Sequence, residues 1–170
     1  SISIKTPDTN ILNLNDCPLR EISEIKKFKK KYGTFDVLLT QFSYAAWKGG
    51  EKGKTIRENA AKEKLLDIYN QSKILDCKKI IPFASFIYFS NKLNFYMNDS
   101  VNTPETVYNY LSENSLNPII MKPGEKQFIG ELQQNKSSLE FWKDKFEFNS
   151  HNKNIDIYRK SYELEDIQNE

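Results

Sequence analysis

Hydrophobic and polar residues alternate at the start of the chain, with the two-residue period of a β-strand that has one buried face. The alternation runs through ISIKT (2–6) and continues in NILNLN (10–15), where Leu12 and Leu14 stand between asparagines. A Pro-Asp pair separates the two runs, and both residue types favour turns. The pattern predicts two short strands joined by a turn.

Two longer segments follow a helical pattern, in which apolar residues recur every three or four positions. In residues 18–32 five lysines fill the polar face and the last turn, and Gly33 then favours an end to the helix. A second helix is predicted over residues 56–75. Its predicted apolar stripe consists of Ile56, Ala60, Leu65, Ile68, Tyr69 and Leu75.

Each predicted helix is followed by a continuous apolar run, which is typical of a strand buried on both faces. The runs are FDVLLTQF (35–42) and KKIIPF (78–83). Pro82 interrupts the second run, and because proline has no N–H for the ladder, the strand must end, bulge or lie at an edge there.

The last third of the chain continues the alternation of elements. Thr103 and Pro104 predict the cap and first residue of a short helix that runs to Asn114. A short strand at 118–125 and a helix from Ser137 follow. Because strands and helices alternate along the sequence, the predicted fold class is α/β.

Composition and charge limit the classes of function that we expect for this protein. The 170 residues carry 25 basic and 23 acidic side chains, and such a balance lacks the basic excess expected of a nucleic-acid-binding surface. No apolar run approaches the roughly 20 residues of a membrane span. We expect no nucleic-acid or membrane partner, a cytoplasmic protein, and buried free thiols at Cys17 and Cys77.

Catalytic side chains are scarce in the sequence. His151 is the only histidine and lies in a polar stretch, NSHNKN. A serine–histidine–acid or cysteine–histidine arrangement is therefore not credible, and no catalytic residue is assigned.

Asp16 stands where the NILNLN strand gives way to the predicted helix. Its carboxylate can serve as a metal ligand at the end of a strand, or it can cap the helix that is predicted to begin near Pro18. From spacing alone, the cap is the simpler interpretation.

Several polar and aromatic residues are candidates for substrate binding. Gln41, Tyr44 and Trp47 belong to a glycine-rich loop after a buried strand, a place where ligand sites often form in α/β sheets. Asn94 and Asn98 belong to an asparagine-rich loop and could bind substrate hydroxyls or phosphates. The alternatives are a connection whose aromatic residues pack on the domain, and asparagines that shape their own loop.

Three stretches in this order resemble a known family: NLNDC (13–17), DVLLTQFSYAAW (36–47) and IPFASFIYFSNKLNFYMND (81–99). The chain resembles the C-terminal half of a metallo-β-lactamase-fold protein, nearest the branch that contains CMP-N-acetylneuraminate hydroxylase and bacterial metal-dependent hydrolases. The resemblance covers roughly residues 2–125. It implies one half, a sheet with covering helices, of an αββα sandwich.

The resemblance also implies a metal site between the two halves of the sandwich. Asp16 matches the aspartate ligand of the second half, and the divalent metal would be zinc, iron or manganese. Ala84 stands where many members carry a last histidine ligand, although the hydroxylase branch has a similar Pro-Phe-Ala stretch. The H-x-H-x-D-H motif of the first half does not occur in this sequence.

These features predict residues 1–135 as the C-terminal half of the domain and 136–170 as a helical extension with a polar tail. We expect a fragment of a longer metal-dependent hydrolase or oxygenase-like enzyme, for which the resemblance points to a sugar nucleotide or phosphorylated sugar. The chain alone is expected to be inactive and to bind no metal tightly. The alternative is a non-catalytic structural or interaction half-domain.

The continuous apolar strands lead to a prediction about self-association of the chain. If the helices of this chain cover one face of the sheet, the missing N-terminal half would cover the other. We therefore expect the isolated chain to form a homodimer through that face.

Overall fold

The computed structural model describes residues 1–17, 19–84 and 86–151. Four strands form one mixed sheet in the order β1 (Ile2–Lys5), β2 (Asn10–Asn13), β3 (Val37–Thr40) and β4 (Lys79–Pro82). β1 pairs with β2 antiparallel, whereas β2, β3 and β4 are parallel. The carboxyl ends of three strands therefore meet at one edge of the sheet.

Four α-helices accompany this sheet in the part of the chain that the structure describes. They are α1 (Ile22–Tyr32), α2 (Lys54–Ile74), α3 (Pro104–Glu113) and α4 (Lys136–His151). A 3-10 helix (Phe95–Asp99) precedes α3, and a shorter one (Ile129–Glu131) precedes α4. The predicted α/β class is confirmed at this level.

One face of the sheet is covered by helices. Leu12, Leu38 and Ile80 lie in register across β2, β3 and β4 and are fully buried. The first two pack with Ile25 of α1, and Ile80 packs with Ile68 of α2. The predicted burial of Leu12 and Leu14 is confirmed.

The opposite side of the sheet, here called the open face, is only partly covered. It carries Ile2, Ile4, Ile11, Val37, Leu39 and Ile81. Ile119 and Leu132 pack on the β3–β4 side of this face. The cover ends towards β1, where 64% of the surface of Ile2 and 54% of the surface of Ile4 are exposed. The sequence interpretation did not anticipate that residues after Pro118 would shield part of this face.

Several observed ends of helices and strands agree with those predicted from the sequence. Gly33 caps the end of α1 with φ +84° and donates its N–H to the Lys29 carbonyl. The Thr103 side chain accepts the Thr106 N–H at 3.1 Å, and Pro104 opens α3. β4 ends at Pro82 and is the last strand in the order of the sheet, so two of the three outcomes predicted for this proline are met.

Other predicted boundaries were wrong. α1 begins at Ile22 rather than near Pro18, and Glu21 occupies its N-cap position. Asp16 therefore lies six residues before the helix and does not cap it. Residues 118–125 make a single bridge, between Pro118 and Ile80, in place of a strand.

The predicted apolar stripe of α2 was wrong in the first turn of the helix. Ile56 is 58% exposed, and the fully buried residue of that turn is its neighbour Arg57. The buried guanidinium has partners that lie far away in the sequence, which helical periodicity cannot indicate.

Candidate functional site

The parallel strands bring Asp16 and Gln41 together at their carboxyl ends. Asp16 follows β2 and Gln41 follows β3 directly. Gln41 donates from Nε2 to Asp16 Oδ1 at 2.7 Å and to Asn15 Oδ1 at 3.1 Å. This polar edge of the sheet is the place where open α/β sheets commonly bind ligands.

Lys64 determines which way the Gln41 amide points. Its Nζ donates to Gln41 Oε1 at 3.1 Å. Because the ammonium group can only donate, the amide nitrogen must face Asp16. A chain of hydrogen bonds therefore runs from α2 through the end of β3 to the Asp16 carboxylate.

The two oxygens of Asp16 differ in their surroundings. Oδ1 accepts the short bond from Gln41, whereas Oδ2 has a contact of 3.4 Å with the Asn15 amide nitrogen. Asp16 is exposed and has φ +56°, a left-handed conformation that aspartate tolerates better than most residues. Both oxygens therefore accept a hydrogen bond, a short one at Oδ1 and a longer one at Oδ2.

Charges of both signs line a very small cavity, of about 10 Å³, beside this edge. Burial and the neighbouring Arg20 lower the pKa of Lys64. Burial raises the pKa of Asp67, although Arg20, whose Nε lies 3.4 Å from Asp67, opposes the shift. The cavity is too small for a sugar or a nucleotide, so a substrate could only contact the edge from outside.

The structure separates the predicted site residues into three locations. Asp16 and Gln41 lie at the strand edge, whereas Asn94 and Asn98 belong to the N-cap and the body of the 3-10 helix Phe95–Asp99, which Tyr44 contacts. Tyr44 is buried and its hydroxyl donates to the Met97 carbonyl at 2.6 Å. Burial raises the pKa of Tyr44 to about 12. These contacts favour the packing alternative for Tyr44.

The two asparagines also contact the backbone or the interior. Asn98 accepts the Phe89 N–H and donates to the carbonyls of Phe89 and Phe95. The buried Oδ1 of Asn94 has no hydrogen-bond partner among the residues that the structure describes. Asn98 thus shapes its own loop, one of the alternatives that the sequence left open.

Trp47 occupies a third location, on the glycine-rich loop, where 69% of its surface is exposed. Arg57 anchors that loop through two hydrogen bonds. Its guanidinium donates to the Gly50 carbonyl at 2.7 Å and to the Glu51 carbonyl at 3.3 Å. Its guanidinium also pairs with Asp99. The loop is therefore anchored, and the glycines do not by themselves make it mobile.

Sequence reasoning missed Lys64 and Arg57. Both are cations on α2 whose partners lie 23 and 42 residues away, so no local spacing signals them.

Ala84, two residues after the end of β4, has φ +57°. A methyl side chain cannot ligate a metal. Across residues 1–17, 19–84 and 86–151, no group of three histidine, cysteine, aspartate or glutamate side chains could hold a metal ion. The residues at this edge therefore do not make a complete metal site, and Asp16 fits only as one ligand of a larger set.

The free cysteines differ in exposure. Cys77 is buried, and burial raises its pKa to about 12. Cys17 is half-buried beside the core that Leu12 and Ile25 form. Among the helices that the structure describes, none combines the length and apolar character that crossing a bilayer requires.

Comparison of the chain with protein-family models, with curated proteins and with solved structures returns no match. The metallo-β-lactamase resemblance therefore rests on the three motifs and their order, and it stays a prediction.

Proposed function

We propose that the chain is one half of a metal-dependent hydrolase or oxygenase-like enzyme with a metallo-β-lactamase-like sandwich. Asp16 would supply one carboxylate ligand, and histidines from another part of the enzyme would supply the others. The observation that carries the proposal is the placement of Asp16, which is exposed at the carboxyl end of β2 and bonded to Gln41.

The surroundings of Asp16 support a ligand role. Metal-binding carboxylates are themselves hydrogen-bonded by neighbouring groups, which fix their orientation. Lys64 and Gln41 provide such a chain to Oδ1. Oδ2, which accepts the longer hydrogen bond, is then the oxygen that would face a metal.

The open face supports the two-half architecture. A second sheet packs against a sheet through apolar side chains on facing sides. Ile2, Ile4, Ile11 and Leu39 offer such side chains without complete cover.

The chain alone lacks the remaining ligands, so it should be inactive and should not retain metal. Zinc, iron and manganese all accept carboxylate ligands together with imidazoles. A sugar nucleotide or phosphorylated sugar is proposed as substrate on the basis of the sequence resemblance. The exposed Trp47 of the glycine-rich loop offers a ring on which such a ligand could stack.

The test is elemental analysis of the protein expressed from its complete reading frame. We expect zinc, iron or manganese in near-stoichiometric amount, and a loss of roughly tenfold or more in metal affinity for Asp16→Asn. Asp76→Asn is the matched control, because Asp76 is also an exposed aspartate with positive φ (+55°). Metal-free protein, or equal metal retention by the two variants, would contradict the proposal.

A second candidate is a non-catalytic half-domain that associates with its own copy through the open face. The exposure of Ile2 and Ile4 favours it. The same measurement separates the two functions, since an interaction module predicts no bound metal in any variant.

A further inference from the structure

A cavity with a volume of about 520 Å³ lies between the 3-10 helix Phe95–Asp99, the first residues of α3 and the second half of α4. Asp16, Gln41 and Lys64 do not line it, so the cavity is separate from the strand edge. Small-molecule sites commonly have volumes of roughly 300–1,000 Å³. The cavity is therefore large enough for a ligand with two or three fused rings.

Aromatic side chains are over-represented in the lining of this cavity. They supply five of its fourteen residues, whereas they make up 13% of the whole chain. The five are Tyr88, Phe95, Tyr96, Trp142 and Phe146. Each of these side chains is half-buried, so part of its apolar surface remains in contact with water. A ligand that covers this surface releases that water, which favours binding.

The hydrogen-bonding groups of the lining are directed at partners within the protein. The hydroxyls of Tyr88 and Tyr96 donate to the carbonyls of Asn149 and Gly49, at 2.7 and 3.2 Å. The Asn98 amide bonds the backbone of its own loop. These groups therefore offer little to a ligand that is rich in hydroxyls, such as a sugar, and the rings present apolar surface to a ligand.

The orientation of the rings favours a flat ligand. Trp142 is held by a hydrogen bond from its Nε1 to the Met121 carbonyl and by Phe86, which stacks on it with ring centroids 4.1 Å apart. Phe86 does not line the cavity, so Trp142 presents its remaining surface there. Tyr88 and Phe95 stand nearly perpendicular, with 82° between their planes. A flat ring can stack on one such wall while it meets another edge-on.

The charged side chains of the lining do not define the class of ligand. Glu105, Lys143 and Glu147 are exposed, so water and salt screen their charges. Asp99 is bonded to the Arg57 guanidinium. The class of ligand therefore follows from the shape and the aromatic character of the half-buried wall.

We propose that this cavity binds a planar aromatic compound with two or three fused rings. The rings of the wall hold the compound through offset-stacked and edge-to-face contacts, which a saturated compound of the same size cannot make. The proposal does not depend on the metal-dependent function, because the cavity shares no lining residue with the surroundings of Asp16.

The test compares two uncharged probes that share a carbon skeleton and a hydroxyl group, 2-naphthol and decahydro-2-naphthol. Isothermal titration calorimetry at neutral pH measures the binding of each probe to the full chain. We expect 2-naphthol to bind at least about threefold more tightly, because only its rings can stack on the aromatic wall. Equal affinities, tighter binding of the saturated probe, or no binding of 2-naphthol at millimolar concentration would overturn the proposal.

Two substitutions test whether the probe binds in this cavity. Phe146→Leu and Phe95→Leu each remove one ring and keep an apolar side chain, so each should weaken 2-naphthol about threefold and change decahydro-2-naphthol less. They lie on different elements, so one of them still tests the proposal if the other does not fold.

Phe148→Leu is the matched control for these substitutions. Phe148 lies on the same helix as Phe146, is 63% exposed and does not line the cavity. Its substitution should leave the affinity for 2-naphthol unchanged. Equal effects of Phe146→Leu and Phe148→Leu, or unchanged affinity in both cavity variants, would show that the probe binds elsewhere and would overturn the proposal.

Discussion

At the scale of single residues, Arg57 connects more parts of the molecule than any predicted site residue does. Its fully buried side chain bonds the glycine-rich loop through Gly50, pairs with Asp99 and lies 4.9 Å from the Tyr96 ring centroid. A buried cation is tolerated only when a counter-charge and hydrogen bonds replace its water shell. Loss of Asp99 should therefore affect the whole fold.

We expect Asp99→Asn to lower the free energy of unfolding by roughly 2–3 kcal/mol, because Arg57 would stay buried without its counter-ion. The measurement is urea denaturation at pH 7. Asp76→Asn, which removes an exposed pair with Lys29, should cost less than about 1 kcal/mol.

The same pair predicts a dependence on pH. Arg57 holds the pKa of Asp99 below its usual value, so the carboxylate stabilises the fold fully above the unfolded-state pKa of about 3.9. This contribution is lost as the pH falls through the lower, folded-state pKa. The difference in stability between wild type and Asp99→Asn should narrow as the pH falls below the unfolded-state pKa, and an unchanged difference would argue against the ion pair.

The two thiols should react at different rates. Cys77 is buried and its raised pKa disfavours the thiolate, whereas Cys17 is half-buried. Iodoacetamide at about pH 8, followed by mass spectrometry, should label Cys17 first in the native protein. Labelling at equal rates is expected only in denaturant, and equal rates in the native protein would contradict the observed burial.

At the scale of elements, local sequence accounts well for helix ends whose chemistry lies within a few residues. Thr103 and Pro104 start α3, and Gly33 ends α1. Local sequence accounts poorly for the start of α1. Leu19 has the helical spacing of the apolar residues in α1 and is buried in the core, but it precedes the helix. An apolar residue at helical spacing is equally compatible with an extended segment that packs on the sheet.

The cap of α3 can be tested directly. Thr103→Ala should cost about 1 kcal/mol, because the Thr106 N–H would lose its acceptor, and Thr103→Ser should restore most of the loss. Chemical denaturation of the full chain measures both. Ser112→Ala, on an exposed position near the end of α3, is the control and should change little.

At the scale of the whole molecule, assembly depends on which parts of the two sheet faces are covered by helices and loops and which parts are exposed. The helix-covered face buries Leu12, Leu38 and Ile80 fully, whereas the open face leaves the large apolar side chains Ile2 and Ile4 exposed. Exposed apolar side chains that adjoin one another on a sheet favour association. A homodimer through this face remains the prediction for the isolated chain.

Light scattering at micromolar concentration tests this assembly. Wild type should be dimeric, and Ile4→Lys should shift it towards the monomer by placing a charge in the interface. Leu93→Lys is the control, since Leu93 is 85% exposed on a loop outside the sheet. A monomeric wild type, or equal effects of the two substitutions, would rule out association through the open face.

The sequence by itself determined the α/β class, the alternation that buries Leu12 and Leu14, the disruption of the apolar run at Pro82 and the cap at Thr103. Each depends on interactions between residues a few positions apart, or on burial that periodicity reveals. Only the tertiary structure decided that Gln41 contacts Asp16, that Lys64 orients Gln41, and that Tyr44 belongs to the core. Parallel strands bring residues from distant positions to one edge, and no local pattern records which partner a polar side chain will meet there.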